Sequence, residues 1–183
     1  MNIYICGVPK CGKTTLARNL KKELSDYNLI VSESIRNGFQ KMDAEHYKEW
    51  GNKNSELRKE NFPIFVFEFL KWNTHFSGCN NIVDLALIDI NTVIENKNED
   101  DIVICLGFGL NKSNEEILTF IRNRENDNDY TKEYSDDKLL AIWGNISDID
   151  KNNIKVCNEN SIRYFDVINE FDIDKEILKE IVK

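Results

Sequence analysis

The stretch Gly7-Val8-Pro9-Lys10-Cys11-Gly12-Lys13-Thr14-Thr15 decides how the rest of the chain is read. It follows a short apolar run, Ile3-Tyr4-Ile5-Cys6, and precedes Leu16, Ala17, Leu20 and Leu24 at helical spacing. Gly7 and Gly12 frame four residues, and Lys13-Thr14 completes the pattern G-x-x-x-x-G-K-[ST]. Between a strand and a helix, that pattern makes a cradle for phosphates. The glycines let backbone amides turn toward phosphate oxygens, and the helix start adds its positive dipole end. Lys13 is placed to reach the β- and γ-phosphates, and the Thr14 hydroxyl to ligate magnesium. With average composition, four such fixed positions match at about 4 in 100,000 starting points, so composition alone does not produce the match. The whole stretch, Gly7, Val8, Pro9, Lys10, Cys11, Gly12, Lys13, Thr14 and Thr15, is therefore expected to line a nucleoside triphosphate.

Outward from the loop, strand-like and helix-like segments alternate, which favours an α/β fold with a mainly parallel sheet. Strands are expected at 2–6, 29–32, 81–84, 101–107 and 162–167, with a C-terminal helix from about Asp174. Two insertions interrupt the alternation. Residues 36–80 read as helical and aromatic-rich. Residues 111–138 are polar and charged, and too long for a routine connection, so a functional lid or a mobile segment is expected there. Within the first insertion, Phe62, Phe65, Phe69, Trp72 and Phe76 fall on one helical stripe, with Pro63 suited to the first turn. That stripe is read as core, and an aromatic platform for a ligand is the alternative.

The chain has 183 residues, enough for one domain over 1–183 with a full core. Its net charge of −8 argues against a large nucleic-acid surface, because phosphate backbones are bound by basic patches. Five scattered cysteines without C-x-x-C spacing suggest reduced thiols. With no signal peptide and no apolar run of membrane-spanning length, a cytoplasmic protein without membrane contact is expected.

The run ICGVPKCGKTTLARNL resembles the N-terminus of the adenylate-kinase-like branch of P-loop kinases, which act on small nucleotides, nucleosides and metabolites. Gly7, Pro9, Gly12, Lys13, Thr14 and Thr15 match that branch's pattern, and Lys10 departs where the family often has glycine. The resemblance implies a three-layer fold around a five-stranded parallel sheet. It also implies an acceptor-binding insertion after the second strand, an arginine-bearing lid after the fourth, and phosphoryl transfer from ATP with Mg2+ to a small acceptor.

Ligands of open α/β sheets sit beyond the carboxyl ends of the strands, and three acids occupy such places. Glu33 follows the second strand and, by the resemblance, can take the proton of an acceptor hydroxyl; a solvated or helix-capping glutamate is the other reading. Asp84 ends the third strand and looks like the acid behind the magnesium shell, unless it merely caps a helix. Asp89 competes with Asp84 if the strand runs to Ile88. Arg122 and Arg124 follow a helix-like segment into the charged insertion, where a lid arginine would stabilise transferring charge; a solvated helix end is the other reading. Arg36 lies where an acceptor phosphate could meet it.

Other classes fit less well. Asn111-Lys112-Ser113-Asn114 lacks the acid of the guanine-binding Asn-Lys-x-Asp, and Asp84-Leu85-Ala86-Leu87 lacks the Asp-x-x-Gly of switch GTPases. Ser113 and Glu116 instead form the signature of a helix-capping box. The segment Asp84–Asp89 also lacks the Asp-Gly-x-Pro-Arg of adenylate kinases, so an AMP-type acceptor site is unsupported. The expected acceptor is a nucleotide or nucleoside. The alternatives are a hydroxyl metabolite or an antibiotic alcohol, or an ATPase or nucleotide-binding protein with no small acceptor.

Overall fold

In the computed structural model, residues 1–42, 60–86, 88–125, 129–170 and 172–181 are described. Parts of both expected insertions, 43–59 and 126–128, lie outside them. Five strands, β1 (Ile3–Gly7), β2 (Asn28–Val31), β3 (Asn81–Asp84), β4 (Ile102–Gly107) and β5 (Arg163–Asp166), form one parallel sheet in the order β2-β3-β1-β4-β5. In the register, Ile5 of β1 and Val31 of β2 both stand beside Asp84 of β3. Each strand is followed by a helix or helical loop, as parallel pairing requires. The helices are α1 (Lys13–Glu23), α2 (Ser32–Met42), α3 (Phe62–Ser77), α4 (Ile90–Asn96), α5 (Asn114–Asn123), α6 (Asp136–Glu159) and α7 (Ile173–Ile181). Among the described residues, no helix is long and apolar enough to cross a membrane.

The chain divides into two compact units, Met1–Cys6 with Lys13–Ile104, and Gly7–Gly12 with Cys105–Lys183. In the first, β1 and β3 bury the apolar side chains of Ile3, Ile5, Ile82 and Val83, and α1 covers them with Leu16, Ala17 and Leu20. Helix α3 starts with Pro63 in its first turn and ends at Gly78, whose φ of 67° suits a residue without Cβ. Its buried face is Phe62, Pro63, Val66 and Leu70. The stripe expected as core is corrected here. Phe65, Phe69, Trp72 and Phe76 are exposed, Phe76 by 78%, and of that stripe Phe62 alone is buried. The i, i+4 row of Phe62, Val66 and Leu70 sits on the sheet side, and the larger aromatic row lies a quarter-turn away, stacked on itself from Phe65 to Phe69 and from Trp72 to Phe76.

In the second unit, Cys105, Leu106 and Gly107 of β4 are buried. Helix α5 begins with the capping box read from the sequence: Ser113 Oγ accepts from the Glu116 amide and the Glu116 carboxylate accepts from the Ser113 amide. Helix α6 lays Leu139, Ile146, Asp150, Asn153 and Cys157 on one buried face. All five cysteines are thiols, and Cys6, Cys11, Cys105 and Cys157 are buried.

Candidate active site

The loop between β1 and α1 shows why its glycines stand where they do. Gly7 has φ of 132°, and a Cβ there would sit 2.0 Å from the backbone oxygen of Leu106. The Val8 amide donates to that same oxygen at 3.2 Å, so the loop leaves the sheet pressed against β4. Gly12 has φ of 92° but open space, the nearest atom being Arg124 Nη1 at 3.7 Å from an added Cβ. Its glycine is needed for the backbone turn rather than for room. Lys10, the departure from the family's glycine, has φ of 67°. That left-handed backbone favours glycine, and a lysine occupies it all the same. Val8 and Cys11 are buried and anchor the loop from below.

Helix α1 begins at Lys13 and has no acid in its first turn. Helix starts commonly carry acids because the unpaired amides and the dipole favour negative charge. Thr14, one residue on, donates its hydroxyl to Asp84 Oδ2 at 2.5 Å. Asp84 is 3% exposed and ends β3, with the next amide, Leu85, donating to Ile5 O. The choice between Asp84 and Asp89 is thereby resolved. Asp89 lies outside the strand and caps α4, accepting from the Thr92 amide and hydroxyl.

Burial pushes the Asp84 carboxyl above its ordinary range, and nearby Glu33 adds to the rise; the Thr14 hydrogen bond and the charges of Lys13 and Arg18 oppose it. A buried carboxylate beside a hydroxyl is an oxygen pair suited to a hard cation such as Mg2+, which binds through one or two carboxylates plus phosphate oxygens and water. Among the described residues, no three His, Cys, Asp or Glu side chains converge. A cation at this pair would take the rest of its shell from the triphosphate and water.

Glu33 lies in the first turn of α2 and pairs with Arg36 Nη2 at 2.8 Å, its own side chain 54% exposed. Arg36 also donates to Asn37 Oδ1. The start of α2 is fixed by Ser32, fully buried, whose hydroxyl accepts from the Ala86 amide at 2.8 Å. That link ties the Glu33 turn to the chain leaving Asp84, and no sequence signal pointed to it.

The two arginines of the second insertion have different surroundings. Arg122 donates to Glu125, Asp136 and the carbonyls of Thr131 and Tyr134, which commits its guanidinium to bracing the segment. Arg124 caps α5, lies 4.1 Å over the Phe120 ring, and reaches toward Gly12. Beyond them, Asp129 accepts from Lys10 Nζ and from Thr131.

A further cluster holds the turn after β4. Asp150 of α6, 2% exposed, accepts from the Phe108 amide at 2.8 Å. The Tyr164 hydroxyl donates to Asp150 and accepts from the Gly109 amide. Burial raises both the Asp150 carboxyl and the Tyr164 hydroxyl. Asp150 could have been found from sequence, as an acid on the otherwise buried row of Leu139, Ile146 and Cys157. The cavity beside it, lined by residues including Lys112, Ser147 and Lys151, measures about 60 Å³. It has room for water, whose share of liquid volume is about 30 Å³, and not for a nucleotide.

With this geometry the chain was compared with known proteins. No protein-family model matches the sequence, and no curated protein matches it. Among solved structures, a shikimate kinase from Bacteroides thetaiotaomicron superposes with a TM-score of 0.52 at 17% identity, covering 100% of this chain and 98% of that one. Deoxyadenosine kinase from M. mycoides with bound dATP gives 0.49 at 15%, covering 100% and 98%. A gluconokinase from Sinorhizobium meliloti 1021 gives 0.48 at 14%, covering 77% and 71%. At such identities the likeness to the shikimate kinase establishes the fold. This chain shares that structure's α/β fold, a five-stranded parallel sheet flanked by helices.

Proposed function

We propose that this chain is a phosphotransferase that moves the γ-phosphoryl group of ATP to the hydroxyl or phosphate of a small acceptor, a nucleotide or nucleoside first. The observation that carries the reading is the Thr14–Asp84 pair, one residue past the phosphate-loop lysine and at the carboxyl end of β3. A helix N-terminus without acids, a lysine beside it and a buried carboxylate on the neighbouring hydroxyl together suit a triphosphate with its magnesium. Mg2+, when bound, neutralises charge on the β- and γ-phosphates.

In this reading, Lys13 and the loop amides beyond Pro9, from Lys10 to Thr15, hold the phosphates in line for transfer. Thr14 and Asp84 hold the magnesium shell. The acceptor oxygen attacks the γ-phosphorus, the bond to the β–γ bridging oxygen breaks, and a hydroxyl acceptor's proton passes to the Glu33 carboxylate. Arg36, paired with Glu33, orients it and faces an acceptor's own phosphate where there is one. Arg124, which reaches toward Gly12, serves as the lid arginine, and Arg122 braces the segment that carries it. Insertions 36–80 and 111–138 serve as acceptor site and lid.

The test is a screen of the purified chain with γ-labelled ATP and Mg2+ against nucleosides, nucleoside monophosphates and small alcohols. The reading expects label on one acceptor class, loss of ATP binding in Lys13→Ala, and a fall in turnover in Glu33→Gln far larger than any change in ATP affinity. Label found only in free phosphate across the panel would favour an ATPase instead. Full activity in Glu33→Gln would remove Glu33 as the base.

A further inference from the structure

Lys10 is a lysine at a left-handed position inside the phosphate loop, φ 67°. Glycine takes that conformation without cost and lysine does not. Its ammonium is paired with Asp129, which lies 119 residues further along the chain, and both side chains are largely shielded, 21% and 13% exposed. Asp129 is itself held in place. The Thr131 amide donates to its Oδ1 at 3.1 Å and the Thr131 hydroxyl lies 2.8 Å from the same oxygen, while Thr131 is 2% exposed. Burial alone would raise the Asp129 carboxyl, but the hydrogen bonds from Lys10 and Thr131 hold it below its usual range, so it is charged at neutral pH. A carboxylate thus reaches into a loop whose other features suit an anion from outside.

We propose that Lys10 is a second triphosphate-directed cation of this loop and that Asp129 is its internal competitor, giving the ammonium up to the terminal phosphate when ATP binds. This rests on the phosphotransferase reading and goes beyond it. Two features support the exchange. Lys10 stands between Gly7 and Gly12, so its side chain leaves from the backbone that cradles the phosphates. Arg124 comes to the same loop from the segment that also carries Asp129, so the site already gathers cations against Gly12. A terminal phosphate bears more charge than one carboxylate and offers more oxygens, which makes it the stronger partner for an ammonium. The consequence is selectivity. Lys10 would favour a triphosphate over a diphosphate, and Asp129 would set how much of that preference is expressed.

The experiment is calorimetric titration of the full chain with the magnesium complexes of adenylyl imidodiphosphate and of ADP, for wild type, Asp129→Asn, Lys10→Met and the double variant. Asp129→Asn is expected to tighten the triphosphate analogue roughly tenfold, and ADP by no more than about twofold. Lys10→Met should weaken the analogue selectively, and the double variant should match Lys10→Met, since without the ammonium there is nothing to compete for. Lys10→Gly, which suits the φ, should behave as Lys10→Met. If Asp129→Asn does not fold, Asp129→Ser keeps an oxygen for Thr131 and takes its place. Unchanged or weaker analogue binding in the Asp129 variant would make the pair a clamp and overturn the inference, with the phosphotransferase reading intact. Failure of wild type to bind either nucleotide would instead remove that reading.

Discussion

Replacing Asp84 by asparagine should make the fold more stable and the site inactive. The carboxylate is 3% exposed, and its folded pKa is raised first by burial and further by Glu33. A carboxyl raised in the fold binds its proton more tightly there than in the unfolded chain. Between its ordinary pKa of 3.8 and the raised value, stability therefore falls as pH rises, and above that window the full cost of the buried charge is present. Asparagine keeps an oxygen to accept from the Thr14 hydroxyl, now 2.5 Å away, and carries no charge to desolvate. Relief of a functional-site strain of this kind is worth about 0.5–2 kcal/mol, and for a chain of this size each kcal/mol moves Tm by roughly 2–4 °C. The gain should be present at pH 8 and vanish below the ordinary carboxylate range. With Asp84 assigned to the magnesium shell as proposed, turnover should fall by about 100-fold or more, because that shell would lose its charged member. Thermal melts at pH 3 and pH 8, with and without Mg2+ and a triphosphate analogue, separate the two effects. A lower Tm at pH 8 together with retained turnover would show that Asp84 serves only the fold, and would refute the reasoning.

Three further outcomes follow from the geometry. Gly7→Ala should destabilise the chain by about 3 kcal/mol or more, because its Cβ would lie 2.0 Å from the Leu106 carbonyl oxygen; Gly12→Ala meets no such obstacle and should cost only about 1 kcal/mol by denaturant melts. Arg124→Ala should lower kcat with little change in melting, whereas Arg122→Ala should lower the melting temperature, since it strips four partners, among them Glu125, whose side chain is 7% exposed. Equal effects of the two on melting would contradict the division of labour between them. Tyr164→Phe should cost about 1–3 kcal/mol, read by urea unfolding, as it leaves the Gly109 amide and Asp150 without their shared hydroxyl.

The strand, loop and helix around Gly7 to Thr15 were legible because they are local. Gly7 to Thr15 are contiguous, and strand, loop and helix are each written in a few neighbouring residues. The five strands fell close to their expected places for the same reason, β3 on Asn81–Asp84 and β4 within one residue of its reading. The roles of particular partners were not legible, because they depend on pairings across the chain. Lys10 meets Asp129, Ser32 meets Ala86, and Asp150 meets Tyr164 and Phe108, none within twelve residues of its partner. The aromatic stripe of α3 misled for a different reason. Residue size made the larger row look like core, while the sheet side was taken by the smaller row of Phe62, Val66 and Leu70.

The central claim concerns where the γ-phosphoryl group goes, and water is the competing destination. Turnover of MgATP in 18O-enriched water, with the acceptor class found in the screen and followed by 31P NMR, distinguishes them directly. Transfer predicts an acceptor phosphate that forms along with ADP and carries no 18O. Inorganic phosphate bearing one 18O as the sole product, with or without acceptor, would contradict the account.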